Sequence, residues 1–310
     1  MNWSQVLGEI AELSSAQQVP ALRRLRRNYP ICANEEWNTA FNPESLYTAW
    51  PSTHLMRDLY RHNRDVVRPI LAKFEEWHIV EVGGGNGALW RDFFRPHQRG
   101  RLTLIDPDHG AHQAVASVLP ENIEFESVIA PVEEARVPTA DIVICSLTLH
   151  HLGGRDSAER QAHQLTGPGK SEILRDFVEA VRARRGLCIL NEADVYAEID
   201  LPPGNPALIN NLIGSYIHRA AMALASEVES SERNPDLRRK LETILLNWLV
   251  DQPERAGSAS LDKRDVYELD VPNWLELLAR AGAHVHQCRC TDEWGLFHQY
   301  VFSPTRAPIP

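Results

Sequence analysis

The chain has 310 residues, of which 43% are hydrophobic and 24% are charged, so a packed core is expected rather than a disordered chain. The formal net charge of −10 argues against nucleic acid or an anionic membrane as the main partner. No apolar run approaches the ~20 residues of a membrane span, and the amino terminus lacks the basic start and apolar centre of a secretory signal. We therefore expect a cytoplasmic protein with no nucleic-acid or membrane partner.

The first predicted elements are helices. Apolar residues recur at three- and four-residue steps from Leu55 to Leu71, which predicts a helix with one apolar face. Pro69 is expected to end or kink this helix. Residues 1–75 are therefore predicted to form an N-terminal helical cap, followed by a domain that spans residues 76–310.

A glycine-rich turn follows the first predicted strand. The apolar run ends in Glu81, and Gly83, Gly85 and Gly87 come directly after it. Glycine accepts positive φ and lets a ligand approach the backbone closely. The pattern predicts a strand, a tight turn and the start of a helix, whose free N–H groups can meet an anionic group. Gly83, Gly85 and Ala88 also fit the dinucleotide fingerprint G-x-G-x-x-G/A, so the glycine spacing alone leaves NAD open.

Apolar runs alternate with helical segments beyond this turn, which predicts an α/β fold with a doubly wound, mostly parallel sheet. The predicted strands lie near residues 78–82, 101–106, 123–128, 141–147 and 187–193. Ligands in such sheets bind beyond the carboxyl ends of the strands. That edge collects the polar residues Asp106, Ser146, His150, His151, Glu192 and Asp194.

Two insertions interrupt the alternation. Residues 153–170 are polar and longer than a usual connection, which predicts either a lid or an ordinary surface loop. Residues 202–265 carry apolar side chains at helical spacing, so a helical insertion is expected before the last strands. Such helices extend a cap or form the interface of a homodimer.

Four metal-ligand types alternate near the carboxyl end of the chain. The residues are His284, His286, Cys288 and Cys290, and a regular strand would place all four on one face. Ligands spaced ~6.7 Å apart along a flat strand cannot all reach one ion. We therefore expect a packed strand and no metal.

The ordered motifs resemble those of the class I methyltransferases that use S-adenosylmethionine (SAM). The sequence E-x-G-x-G-x-G from Glu81 to Gly87 resembles their first motif, and DIVICSLTLHHL, residues 141–152, resembles their fourth motif in small-molecule enzymes. The sequences VPNWLELLARAG and EWGLFHQYV, within 271–301, look like the last helix and terminal strand of that family. The resemblance covers roughly residues 76–200 and 266–304. It implies a seven-stranded type of sheet and SAM as the cofactor.

The resemblance also implies a cofactor site. The three glycines of the first motif would hold the methionine part of SAM, with Glu81 supporting the turn or the amino group and Ser146 also contacting the cofactor. Asp106 ends the second strand about 20 residues beyond the glycines, the distance at which a carboxylate meets ribose hydroxyls, and Asp108 is the second choice. The family usually places an acid after the third strand for adenine, where this chain has Ala130 and Pro131.

Three residues are candidates for catalysis. A histidine near neutral pH can take a proton from a methyl acceptor, and His150 is preferred over His151 because it follows the strand first. Glu192 would help to orient or deprotonate the acceptor. The predicted function is methyl transfer from SAM to a small organic molecule in specialised metabolism. The alternatives are other SAM chemistry, such as cyclisation that releases methylthioadenosine or a pericyclic reaction, an NAD-dependent oxidoreductase, and a non-catalytic interaction protein.

Overall fold

A computed structural model describes residues 1–29, 49–95, 98–195, 206–256 and 266–306. In these ranges the structure contains one seven-stranded sheet. Its strands are β1 (Trp77–Val82), β2 (Gly100–Ile105), β3 (Ile123–Val128), β4 (Ile142–Ser146), β5 (Leu187–Ala193), β6 (His284–Cys290) and β7 (Phe297–Ser303). The predicted strands therefore form, and the mostly parallel α/β fold is confirmed.

The strand order is β3-β2-β1-β4-β5-β7-β6. Strands β1 to β5 pair in parallel along this order, whereas β6 and β7 pair antiparallel. The central strands β1 and β5 are buried along their whole length, which explains why their sequences are mainly apolar and do not alternate strictly between apolar and polar residues. The order reverses between β1 and β4, and ligands of doubly wound sheets bind at such a switch point.

Helices precede, connect and follow these strands. They are α1 (Trp3–Ala11), α2 (Ser15–Asn28), α3 (His54–Leu71), α4 (His109–Val118), α5 (Ser157–Ala162), α6 (Lys170–Arg182), α7 (Pro206–Arg219), α8 (Ala221–Ser230), α9 (Pro235–Leu246), α10 (Gln252–Ala256) and α11 (Val271–Arg280). Pro69 lies near the end of α3 and the helix stops two residues later. None of the described helices is both long and apolar enough to cross a membrane.

The chain divides into two compact units. The first is helical, and one buried carboxylate on α9 joins this helix to α1 and to the residue that ends α2. Oε1 of Glu242 accepts hydrogen bonds from Nε1 of Trp3, the hydroxyl of Tyr29 and Nε of Arg238, at 2.9, 3.2 and 3.1 Å. The segments of this unit are Met1–Arg57, Ala193–Asp270 and Asp292–Leu296.

The second unit contains the sheet with its flanking helices. Its segments are Asp58–Glu192, Val271–Thr291 and Phe297–Pro310. The sequence-based division into a cap of residues 1–75 and a domain of residues 76–310 stays a prediction.

The helix predicted directly after the glycine turn does not form. The chain instead makes successive tight turns, in which the backbone N–H groups of Gly87, Trp90 and Phe93 each donate to the carbonyl three residues earlier, at 3.0–3.1 Å. Left-handed φ angles of 73° at Gly87 and 55° at Asp92 are incompatible with a right-handed helix. Stacking of Trp90 on Phe94, with ring centroids 5.4 Å apart, packs this segment instead.

Two arginines of α3 hold these turns. Nη2 of Arg64 donates to the carbonyls of Leu89 and Arg91, at 3.2 and 2.8 Å. Arg68 donates to the carbonyls of Asp92 and Phe93. The carbonyl groups that a helix would have paired internally are therefore satisfied by side chains.

The row of metal-ligand types on β6 does not share one face, so that expectation was wrong. Val285 pairs with Phe302 but Gln287 pairs with Val301, which marks a β-bulge at His286. A bulge adds one residue to a strand and shifts the alternation beyond it. His284 therefore lies on the face opposite Cys288 and Cys290.

The connection at residues 153–170 is folded around one arginine. Arg160, on the short helix α5, is buried. Its guanidinium donates to the carbonyl oxygens of Gly153 and Thr166, at 2.7–3.0 Å. Nζ of the fully buried Lys170 donates to the carbonyl of Leu152. These contacts favour a structured connection over an open loop.

Candidate functional site

The glycine turn lies at the carboxyl end of β1, and its glycines differ in how closely other residues pack against them. Gly83, Gly85 and Gly87 all have left-handed φ angles, of 78°, 52° and 73°. A Cβ atom at Gly83 would lie 1.9 Å from Oγ1 of Thr148, whereas a Cβ atom at Gly85 would meet nothing within 4 Å. Gly83 is therefore required by packing, and the backbone at Gly85 is open to a ligand.

Glu81 lies buried beneath this turn. Nε1 of Trp90 donates to Oε2 of Glu81 at 2.5 Å. Burial, with a smaller contribution from the nearby Asp106, raises the pKa of Glu81 to about 8 against the opposing effect of the Trp90 hydrogen bond. The pKa of Tyr60 on α3 is also raised, first by burial and then by the charge of Glu81. A buried carboxyl next to the turn is suited to pair with a cationic ligand group.

Asp106 follows β2 beside the same turn. Its Oδ2 accepts from the backbone N–H of Gly84 at 3.0 Å, and its Oδ1 accepts from that of Asp108 at 2.8 Å. Burial raises the pKa of Asp106 in spite of these two hydrogen bonds. The side chain of Asp108 instead caps α4 by accepting from Gly110 N at 2.7 Å. Of the two predicted acids, Asp106 is the one placed beside the glycine turn.

A buried histidine holds the end of β2 next to β3. Nε2 of His112 lies 2.9 Å from the carbonyl oxygen of Asp106, and its Nδ1 lies 2.7 Å from Oγ of Ser127. After β3 the side chain of Ile129 is 46% exposed. An exposed apolar side chain therefore occupies the region where the family usually has an acid for adenine.

The end of β4 makes a strained turn. Leu147 has a left-handed φ of 52°, which is unusual for a residue with a branched side chain. Its N–H donates to the carbonyl of Asn191 at 2.8 Å. Thr148, which packs against Gly83, donates through Oγ1 to the carbonyl of Ser146 at 3.0 Å. The sequence did not single out Thr148, because its importance depends on a contact with a residue far away in the chain.

His150 and Glu192 form the tightest pair of candidate residues. Nδ1 of His150 lies 2.8 Å from Oε2 of Glu192, and Oε1 of Glu192 accepts from the backbone N–H groups of Thr148 and Leu149, at 3.1 and 2.8 Å. Glu192 is 1% exposed. A carboxylate only accepts hydrogen bonds, so Nδ1 carries the proton and Nε2 is the basic nitrogen of the neutral ring.

His151 differs from its neighbour. Both residues lie in one 3-10 turn, Leu149–His151, and their ring centroids are 4.2 Å apart. His151 is exposed, whereas His150 is half-buried. His150 thus carries a contact with a buried carboxylate, and the choice of His150 over His151 as the base stays a prediction.

A separate cleft of about 350 Å³ lies at the amino ends of the parallel strands, opposite the ends that carry the candidate site. Two of its arginines contact acids: Arg101 contacts Glu124 at 3.2 Å and Arg184 contacts Asp141 at 3.0 Å. The cleft is lined by the amino ends of β1 and β2 rather than by their carboxyl ends. It is therefore remote from every candidate site residue.

Comparisons with known proteins concern the family and the fold. Residues 80–173 match the family model described as a methyltransferase domain. The pyocyanin biosynthetic protein PhzM gives a TM-score of 0.50 at 14% identity, over 92% of this chain and 68% of PhzM. A SAM-dependent methyltransferase from Leishmania major gives a TM-score of 0.47 at 11% identity, over 85% of this chain and 86% of that one. LepI, solved with SAM, gives a TM-score of 0.40 at 20% identity, over 75% of this chain and 44% of LepI.

No curated protein sequence matches the chain. The methyltransferase-domain match covers the glycine turn, the end of β2 and the end of β4. The likeness to PhzM shows a shared fold. The prediction of a SAM-dependent methyltransferase is therefore confirmed for the domain that residues 80–173 match. The residues present fit this cofactor, because an open glycine turn lies beside two buried acids.

Proposed function

We propose that this enzyme transfers the methyl group of SAM to an oxygen, nitrogen or carbon atom of a small organic molecule, with His150 as the general base. The observation that carries this proposal is the contact between Nδ1 of His150 and Glu192 at the carboxyl edge of the sheet. When bound, SAM supplies a methyl group on a positively charged sulfur. Nε2 of His150 accepts the proton that the acceptor atom loses, and Glu192 stabilises the resulting imidazolium.

The cofactor residues follow from the turn and its neighbours. In this proposal the backbone at Gly83, Gly85 and Gly87 lies against the methionine part of the cofactor. Glu81 pairs with its ammonium group, since a buried carboxyl gains most from a cationic partner. Asp106 accepts hydrogen bonds from the ribose hydroxyls with the lone pairs that its two backbone donors leave available.

Glu192 acts on His150 rather than on the acceptor. Its two oxygens accept from two backbone N–H groups and from the imidazole. We assign it the role of a positioning residue, which fixes the tautomer of His150. His151 is exposed beside it and remains the second candidate for contact with the acceptor.

The acceptor class rests on the fold and on charge. PhzM, which shares the fold, is described as a biosynthetic protein for pyocyanin, and this supports a small molecule in specialised metabolism. The net charge of −10 disfavours nucleic acid as the acceptor. The expected cytoplasmic location, the cap of residues 1–75 and a homodimer belong to the same proposal.

Binding and product analysis test this function. The purified protein would be titrated calorimetrically with SAM, S-adenosylhomocysteine and NAD, and then incubated with methyl-labelled SAM and a panel of phenols, amines and carboxylic acids. We expect micromolar binding of the first two ligands and label in one class of acceptor. Release of methylthioadenosine instead of S-adenosylhomocysteine would replace methyl transfer by other SAM chemistry. Binding of NAD alone would overturn the proposal.

A further inference from the structure

A chain of hydrogen bonds between side chains runs through the sheet unit to the end of β4. Nε and Nη2 of Arg289 donate to Oε1 of Gln299, at 3.1 and 2.9 Å. Nε2 of Gln299 donates to Oδ1 of Asn63 at 2.8 Å and to Oδ1 of Asn191 at 3.5 Å. The amide nitrogens of Asn191 and Asn63 donate to Oγ of Ser146, at 2.9 and 3.5 Å.

The three amides of this relay are completely buried. Asn63, Asn191 and Gln299 are each 0% exposed. A buried polar group that lacks a partner is destabilised by the loss of hydration. The relay is therefore held together by the need of every amide group for a partner, and its members cannot rearrange one at a time.

The direction of the relay follows from chemistry rather than from the choice of amide orientation. A guanidinium group donates hydrogen bonds and accepts none. The oxygen of Gln299 must therefore face Arg289, which leaves its NH2 group to face the oxygens of Asn63 and Asn191. The NH2 groups of those two asparagines must then face Ser146.

The consequence falls on the hydroxyl of Ser146. A hydroxyl has two acceptor lone pairs and one proton, and the two asparagines occupy both lone pairs. Within the described part of the chain, no atom accepts a hydrogen bond from this hydroxyl. Ser146 is also partly exposed, unlike the strand residues before it. Its proton is therefore available to a ligand, whereas its lone pairs are not.

We propose that Arg289 and Gln299, acting through Asn63 and Asn191, fix Ser146 as a hydrogen-bond donor to the carboxylate of the bound cofactor. This inference rests on the proposed function, which brings the methionine part of SAM to the glycine turn after β1. Strand β4 is the neighbour of β1, so its end faces the same part of the ligand. The methionine part offers an ammonium group, which only donates, and a carboxylate, which only accepts. Ser146 selects the carboxylate, and Arg289 and Gln299 are positioning residues.

The substitution Gln299→Glu reverses the relay. A carboxylate at position 299 still pairs with Arg289 but can only accept from Asn63 and Asn191. Both asparagine amides must then turn their oxygens toward Ser146, whose proton is drawn inward. We expect the affinity for S-adenosylhomocysteine to fall by about tenfold or more, as for a lost hydrogen bond to a charged group. The affinity for its decarboxylated analogue, which keeps the amine, should not change.

Calorimetric titration of both ligands decides the matter. Gln287→Glu is the matched control. Gln287 is partly exposed and lies on the same face of β6 as Arg289, so its replacement adds the same charge outside the relay. Ser146→Ala is a second test without any new charge, and should lose the same selectivity. An equal loss for both ligands, or no loss, in Gln299→Glu would overturn the relay. Failure of the wild-type protein to bind S-adenosylhomocysteine at all would instead overturn the proposed function.

Discussion

Glu192 contacts His150 and the backbone of the turn that carries it. One carboxylate oxygen lies 2.8 Å from Nδ1 of His150, and the other accepts from the N–H groups of Thr148 and Leu149. The position of the imidazole and the position of the turn therefore depend on the same buried side chain. A change at Glu192 that preserves its size should act on the tautomer of His150.

Glu192→Gln is expected to abolish most of the activity while leaving cofactor binding intact. A glutamine that keeps its oxygen toward the backbone N–H groups presents its NH2 group to His150, and Nδ1 must then accept. The proton moves to Nε2, which can no longer act as a base. Methyl transfer should fall roughly a hundredfold to ten-thousandfold, as measured with labelled SAM and the acceptor found in the screen.

The control for this prediction is His163→Gln at the end of α5, which removes an imidazole far from Glu192 in the sequence. It should leave both methyl transfer and S-adenosylhomocysteine binding at the wild-type level. Retention of full activity by Glu192→Gln would contradict the assignment of His150 as the base.

The sequence predicted the strand ends but not the contacts between them. Buried parallel strands are continuously apolar, so Glu81, Asp106 and Glu192 stand out as acids at or beyond their ends. Pairing between distant residues leaves no such local signal. Asn63 and Gln299 are 236 positions apart and are ordinary amides in the sequence.

Backbone irregularities were also beyond the sequence pattern. The bulge at His286 changes the faces of all later residues of β6, although the letters alternate without a break. The turns after Gly87 replaced a helix because left-handed φ angles and aromatic stacking outweigh local helix propensity. Both differences follow from packing around the strands, which a single sequence does not display.

Gly83→Ala should destabilise the protein more than Gly85→Ala does. Both positions have left-handed φ angles, which is unfavourable for alanine by roughly 1–2 kcal/mol. Only at Gly83 does the new methyl group overlap Thr148, at 1.9 Å from Oγ1. Urea denaturation should show the larger loss for Gly83→Ala. Equal losses would show that the Thr148 contact does not constrain the turn.

Gly85→Ala should instead affect the ligand. Its methyl group meets no protein atom within 4 Å, so it projects into the space that we assign to the methionine part of the cofactor. The affinity for S-adenosylhomocysteine, measured by calorimetry, should fall although the fold tolerates the change. Unchanged affinity would remove Gly85 from the cofactor site.

Glu81 should make stability depend on pH in the neutral range. Its pKa is about 8 in the folded protein, against an ordinary value of 4.5, because of burial. The folded state therefore holds the proton of Glu81 more tightly than the unfolded chain does. The contribution of protonated Glu81 to the free energy of unfolding is fully present below pH 4.5 and is lost as the pH rises through about 8. Glu81→Gln should gain stability relative to wild type between about pH 5.5 and pH 8.5, by an amount on the order of a few kcal/mol. Urea denaturation at both pH values measures this gain, and Glu121→Gln, a change at an exposed position, is the control. A stability difference between Glu81→Gln and wild type that does not change with pH would exclude the raised pKa.

Asp106 and Asp108 can be separated by the same isosteric change. Asn is as good a helix cap as Asp, so Asp108→Asn should preserve both the start of α4 and the affinity for S-adenosylhomocysteine. Asp106→Asn removes an acceptor that the N–H groups of Gly84 and Asp108 already use, and it leaves no carboxylate for the ribose. Affinity should fall about tenfold to a hundredfold. An analogue of S-adenosylhomocysteine that lacks both ribose hydroxyls should bind wild type and Asp106→Asn equally, because the lost hydrogen bonds are absent from both complexes. If Asp108→Asn lost affinity instead, the ribose-binding role would belong to the acid that caps α4.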